Sequence, residues 1–219
     1  MGILSFWFWS NRIDWLWKFY SQFQYHQWIW RIIMDTKLLG EVAQIYMGLT
    51  FRRYIDENAL KEKVITYSSL KAYKGILNLQ EEKLSRNFDE KYHAKKGDVL
   101  MKTIAPNDAV CVTVEEGSVV GDKIAIIRLK EDIDPMFLTY LLNSPYVKKQ
   151  LHRLNDGRLR NVSLNDIKRL KIKIPDKNEQ LKYVDILQII DEKIKISEEI
   201  LKASKDLRDG LINNLLEVE

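Results

Sequence analysis

The sequence predicts an α+β protein: a mixed α/β domain over residues 34–175 followed by one long C-terminal helix of coiled-coil character over 176–219. Three observations carry this. "VCVTV" and "KIAIIRL" are β-rich runs either side of the turn-like "EEGSVVGD". "DPMFLTYLLN" and "SPYVKKQL" each open with a capping residue and then proline, which marks a helix start. Beyond Pro175, Leu187, Ile190, Ile194, Ser197, Leu201, Ser204, Leu207, Leu211 and Leu215 recur at spacings of mostly three and four.

Residues 1–33 stand apart. They hold all six tryptophans and 12 of the 23 aromatic residues. Arg12, Asp14, Lys18 and a glutamine-rich stretch interrupt the segment, so it is a poor membrane span, and it lacks the basic start and cleavage site of a signal peptide. "MDTKLLGEVAQIYMG" reads as the opening of an ordinary domain, so Met34 is the natural start and 1–33 an upstream extension outside the native protein. An interfacial amphipathic helix is the alternative.

In the domain, "GDVLMKTI" continues from a glycine turn as an apolar strand. Asp134 caps the first helix with Pro135 in its first turn, and Ser144 and Pro145 repeat the device. "NDG" at 155–157 is a turn, because all three residues tolerate positive φ. Ser163 with Asp166 caps a short helical turn, and "KIKIP" follows as a strand. Asp176 with Glu179 forms a capping box that starts the long helix, and about 39 helical residues span ~58 Å. An apolar seam of that length needs a partner helix.

Charge is divided along the chain. Residues 34–175 carry 25 Lys+Arg against 19 Asp+Glu, net +6, whereas 176–219 carry 7 against 11, net −4. A basic body suits a polyanion, and an acidic helix suits a protein partner. The single cysteine, Cys111, excludes an intramolecular disulfide and fits a reducing, cytoplasmic compartment. His26, His93 and His152 lie too far apart for a metal-ligand spacing.

Catalytic motifs are weak. "LNSPYV" approaches the Asn-Pro-Pro-Tyr loop of adenine methyltransferases, but no two glycines are two residues apart, so no G-x-G loop holds a methyl donor. "EEK" at 81–83 and "DEK" at 191–193 match a nuclease acidic-x-Lys pair only as any Glu- and Lys-rich chain would. Binding remains. Candidate contacts to DNA are Arg52, Arg53, Lys95, Lys96, Lys148, Lys149, Arg153, Asn155, Arg158 and Arg160, with Asn161 a further candidate reader of adenine edges. The best group is 148–160, with five basic residues and one Asp in thirteen positions. The candidate helix interface is Leu187, Ile190, Ile194, Leu201, Leu207 and Leu211.

These pieces, in this order, resemble the DNA-specificity (S) subunit of type I restriction-modification systems. "LLGEVAQIYMG" is similar to the family's opening motif, "KGDVLMK" to its Gly-Asp strand, and "DPMFLTYLLNSPYVKKQL" to its helix pair. "VSLNDIKRLKIKIPDKNEQLKYVDILQIIDEKI" resembles the Ile-Pro-hydrophobic-Pro-x-x-x-Glu-Gln passage into the spacer helix, with Lys173 and Asp176 replacing two prolines. The resemblance implies a non-catalytic subunit: a target recognition domain over 34–175 and a spacer or dimerisation helix over 176–219. It implies that the chain reads one half of a bipartite site in double-stranded DNA. Methyltransferase (M) and possible restriction (R) subunits would be its partners and would bind S-adenosylmethionine and ATP, leaving this chain without a cofactor. A full subunit has two such halves, so this half-length form would pair as a homodimer or with another S subunit through its helix. The alternative is an interaction-only or truncated remnant that pairs in the same way. Replacing Arg158 and Arg160 together is expected to weaken DNA binding and to lower the slope of log K against log[salt] by about two. Binding measured across a salt series checks this, and an unchanged slope removes both residues from the contact set.

Overall fold

Strands β1 (Thr36–Leu38) and β11 (Lys171–Lys173) pair antiparallel with Thr36 opposite Lys173, so the body's first and last strands lie side by side where the long helix departs. The computed structural model describes residues 36–85, 87–130, 132–154 and 161–216. The aromatic-rich extension and the expected turn at 155–157 therefore lie outside the described residues.

The central sheet is antiparallel with the order β2 (Ala43–Met47), β10 (Ile124–Leu129), β7 (Val99–Lys102), β8 (Ala109–Cys111). Its strands read as nearly continuous apolar runs because both faces are covered. Ala125 and Ile127 of β10, Val99 and Met101 of β7 and Ile45 of β2 point to one core. Ile124, Ile126 and Leu100 point to the other. The first core is closed by helices α1 (Leu39–Val42), α2 (Pro135–Asn143), α3 (Pro145–Leu154) and α4 (Leu164–Lys168). The second is closed by the small hairpin β4 (Leu70–Lys71) and β5 (Gly75–Ile76) and by β9 (Val119–Val120). A side sheet orders β6 (Gln80–Lys83), β3 (Lys61–Ile65) and β9, with β3 and β9 parallel. The expected turn "EEGSVVGD" thus contains a strand, because Val119 and Val120 find partners in Val64 and Ile65 more than fifty residues away. Leu49 bridges to Gly121, and the backbones approach so closely that a Cβ at Gly48 would collide with the Gly121 carbonyl.

The expected caps form. Asp134 Oδ1 accepts the Phe137 amide at 3.0 Å with Pro135 in the first turn. Ser163 and Asp166 make a reciprocal box, with bonds of 3.1 and 3.0 Å. At the long helix α5 (Lys177–Leu216), only half of the expected box is present. Asp176 accepts the Glu179 amide at 3.1 Å, while the Glu179 carboxylate turns outward to Lys182. The Gly-Asp motif also has a physical reason. Gly97 takes φ +86°, and buried Asp98 receives Arg128 through two hydrogen bonds of 2.9 and 2.7 Å. That bidentate pair holds the Arg128 pKa above its ordinary value.

Two buried amides lock the helices to the sheet. Asn143 behaves as an extra strand residue at the free edge of β8: its Oδ1 accepts the Ala109 N–H at 2.9 Å, and its Nδ2 donates to the Ala109 carbonyl at 2.8 Å. Gln180, 2% exposed, accepts the Asp134 N–H at 2.7 Å and donates to the Pro175 carbonyl at 2.9 Å. Truncating either residue leaves two backbone groups without their partner. Asn143→Ala and Gln180→Ala are each expected to cost about 2–3 kcal/mol, measured as a lower urea midpoint with an unchanged m-value.

Candidate nucleic-acid interface

The predicted cations fall in three separate places. Arg52 and Arg53 lie exposed on a 3-10 turn, Phe51–Tyr54, anchored by buried Phe51. Lys95 and Lys96 are exposed on the turn before β7, where Asp98 Oδ2 accepts the Lys95 amide at 2.9 Å. Lys148, Lys149 and Arg153 lie on α3, which buries Val147 and Leu151 one turn apart and so turns Lys149, His152 and Arg153 to solvent. Asn155, Arg158 and Arg160 lie outside the described residues. Asn161 forms a bridge with Ile104.

The α3 group is joined by cations that are distant in sequence. Gln150 of α3 donates to the Lys171 carbonyl at 2.9 Å and accepts the Lys171 N–H at 3.0 Å, which binds α3 to the open edge of β11. Lys171 therefore stands beside α3, and α4, which carries Lys168 and is followed by Arg169, also packs on that helix. Among the described residues, none of Lys148, Lys149, Arg153, Lys168, Arg169 and Lys171 has an ion-pair partner. Asp166 of α4 is occupied by Ser163. These six cations lie on three neighbouring pieces, α3, α4 with the residue after it, and the start of β11, which together form the body's basic pole. Sequence neighbourhood showed only half of it, and Gln150, two residues from Lys148, was the available sign of the rest.

The tempting catalytic motif has a structural role. Both polar atoms of Asn143 are spent on Ala109, and Ser144 caps α3 by accepting the Val147 amide at 3.3 Å. Glu81 pairs with Lys61, and Asp191 accepts a bond from Tyr140. Among the described residues no three His, Cys, Asp or Glu side chains converge to hold a metal ion. Burial pushes the Cys111 thiol up to about 11, so it is a core thiol and no ready nucleophile. No helix among the described residues is long and apolar enough to cross a membrane.

Helix α5 runs along the body over roughly its first half, with contacts out to Glu198. Val184 is buried in the core, and Tyr140 of α2 donates to Asp191 at 2.7 Å. Burial and that bond raise the Tyr140 pKa, so the hydroxyl stays a donor. Tyr73 of the β4–β5 hairpin packs on Tyr140, and Lys74 reaches Glu198 at 3.4 Å. A largely apolar groove of about 1410 Å³ runs between α5 and the body, with Leu187 and Ile194 on its helix wall. Of the predicted interface, Leu187 is half-buried, and Ile190, Ile194, Leu201, Leu207 and Leu211 are exposed. Exposed Ile189, Ile196 and Ile200 widen that stripe beyond the predicted seam.

Relatives match this arrangement. The family described as type I restriction modification DNA specificity domain matches residues 34–203. The specificity subunit of the type I restriction enzyme HindI from Haemophilus influenzae is 28% identical over 127 residues, covering 55% of this chain and 28% of that protein. The HsdS subunit from Thermoanaerobacter tengcongensis superposes with a TM-score of 0.64 at 20% identity, over 84% of this chain and 49% of that one. A chain of a type I R-M complex gives 0.66 at 18% identity, over 84% and 48%. The S subunit of the type I system of M. genitalium gives 0.52 at 16%, over 85% and 46%. This chain thus spans about half the length of those solved relatives, which share its mixed α/β body and long C-terminal helix. The family match runs without a break from the opening strand through the basic pole and two-thirds of α5, and the chain belongs to the type I restriction-modification DNA specificity family.

Proposed function

We propose that this chain is a DNA-recognition subunit of a type I restriction-modification complex, with residues 34–175 as its target recognition domain and 176–219 as the helix that spaces and assembles it. The observation that carries the reading is the family match across body and helix, together with a body that presents unpaired cations at one pole and a helix that leaves its apolar stripe uncovered. The body reads one half of a bipartite target in duplex DNA. The helix pairs with a second α5 and offers a platform to methyltransferase subunits and, in a restriction complex, to motor-nuclease subunits. Those partners bind S-adenosylmethionine and ATP and perform the chemistry, while this chain supplies address and distance.

Two copies paired antiparallel through α5 have two-fold symmetry, so the site they read is palindromic with a fixed spacer. Selection from a random duplex library by the chain together with its cognate methyltransferase subunit is expected to return such a site. A complex without sequence preference removes the reading. A second reading, favoured by the uncovered apolar stripe of α5, is an interaction-only chain that pairs through that helix with another S subunit and reads no DNA itself. That reading predicts assembly without selection.

Glutamate at Leu187, Ile194 and Leu201 is expected to abolish pairing. Each buried Leu or Ile side chain contributes ~1.5–3 kcal/mol, so each loss weakens association by roughly tenfold to a hundredfold. Sedimentation velocity reports the assembly state. Circular dichroism and a retained unfolding transition report that the body remains folded.

A further inference from the structure

The polar side chains inside this fold are committed. Asn143, Gln150 and Gln180 hold peptide groups, Arg128 holds Asp98, and Lys102 holds Asp108 at 2.8 Å. One concave site breaks that pattern. The Phe51–Tyr54 turn, the turn from β3 to β4, the start of β6 and the turn from β9 to β10 enclose a notch of about 180 Å³. Arg52, Tyr67, Gln80, Asp122 and Lys123 line it. Among the described residues none of these five side chains makes a hydrogen bond or an ion pair, and Lys123 Nζ lies 5.6 Å from the centre of the Tyr67 ring.

We propose that this notch reads base edges of the DNA target, with Arg52 and Gln80 as specificity-determining side chains and Lys123 as a flanking phosphate contact. The proposal rests on the chain's reading as a DNA-recognition subunit and adds to it a surface distinct from the basic pole.

The rim is built to hold its shape. Parallel pairing of Val64 with Val119 and Ile65 with Val120 fixes the ends of β3 and β9 side by side, and the Gly121 amide donates to the Ile65 carbonyl at 2.8 Å. In the turn from β3 to β4, Ser69 N donates to Thr66 O at 3.0 Å and Ser69 Oγ accepts the Thr66 amide at 3.3 Å. Lys123 is held at φ +66°, a conformation costly for a side chain with a Cβ, and its carbonyl accepts the Thr103 amide at 2.9 Å. Thr103 in turn accepts the Val162 amide at 2.7 Å, which adds a second backbone link behind Lys123.

Size and charge select the ligand. At ~30 Å³ per water the notch holds roughly six waters, and it falls below the ~300–1,000 Å³ of small-molecule sites, so it suits the edge of a base pair and no whole cofactor. The basic pole, whose six cations have no ion-pair partner among the described residues, suits phosphate. The notch contains Asp122 among its cations, and a carboxylate repels phosphate but accepts from the cytosine amino group. Arginine grips guanine O6 and N7, and glutamine grips adenine N6 and N7, each through two bonds.

Library selection with the full chain and its methyltransferase subunit, repeated with variants, tests this. Arg52→Ala and Gln80→Ala are each expected to lose preference at one or two positions of the wild-type consensus by about tenfold or more, with the other positions kept. Gln80→Glu, which keeps the shape but loses the amide donor, is expected to change the preferred base at its position. Lys123→Ala is expected to weaken all sequences alike and lower the salt slope by about one. Lys149→Ala with Arg153→Ala is expected to keep the consensus while lowering the salt slope. A wild-type consensus that survives unchanged in Arg52→Ala, Gln80→Ala and Gln80→Glu overturns the proposal, even where those variants bind uniformly more weakly, and leaves the specificity reading standing. A wild-type complex that selects no consensus ends the specificity reading and the proposal with it.

Discussion

Helix α5 leaves the body with its direction set, because Gln180 in its first turn bridges two backbone groups from different parts of the fold. The Asp134 amide begins α2, and the Pro175 carbonyl ends the segment leaving β11. The amide side chain matches an N–H with its oxygen and a C=O with its NH₂, and in a buried site neither backbone group has water to turn to. Neither a carboxylate nor a hydrocarbon can do both. The consequence grows with distance. A helix of 40 residues rises ~60 Å, so a tilt of about 10° at its base moves its far end by about 10 Å, roughly three base-pair steps of DNA. The Tyr140–Asp191 bond and the Lys74–Glu198 pair brace the same helix further out, but they are more exposed and weaker holds.

The same economy of amides shapes the body. Asn143 fastens α2 to the edge of β8, and Gln150 fastens α3 to the edge of β11. Both cover strand edges that would otherwise invite another chain. Gln150 also decides where charge accumulates, since it brings Lys171 against the basic face of α3. Part of the body's positive charge is thereby gathered near the exit of α5, while the helix with its flanking residues carries net −4. Such a division of charge favours a polyanion at the body over one at the helix, in keeping with the proposed spacer role of α5.

Local chemistry made part of this legible in advance. Proline after a capping Asp or Ser, Ser163 three residues before Asp166, and the apolar spacing beyond Leu187 each act within a few residues, and each appears where the sequence places it. Features that depend on distant partners were not legible. Val119 and Val120 form a strand only because β3 lies beside them, and the two-residue strands of the β4–β5 hairpin are too short for any periodic signal. The Arg128–Asp98 pair spans thirty residues. Grouping cations by sequence found Lys148, Lys149 and Arg153 but separated them from Lys168, Arg169 and Lys171. The notch around Arg52 escaped for the same reason: Gln80 and Lys123 carry no motif, and only the side sheet and its turns bring them to Arg52.

For the proposed pairing through α5, the direction follows from where the helix is already occupied. Its first half lies along α2 and the β4–β5 hairpin through Val184, Asp191 and Glu198, so one side of that half is closed to a partner. A parallel partner would bring its own body to the same end, setting two +6 bodies side by side and crowding both hairpins. An antiparallel partner lays its unencumbered second half, with Leu207 and Leu211, against the exposed Ile186, Ile189 and Ile196 on the side of α5 away from the body. Apolar burial and the separation of the two +6 bodies then favour the antiparallel arrangement. Under the proposed function, two recognition bodies at opposite ends of one rod are what a bipartite site would require, and Gln180 would set the angle at which each is held.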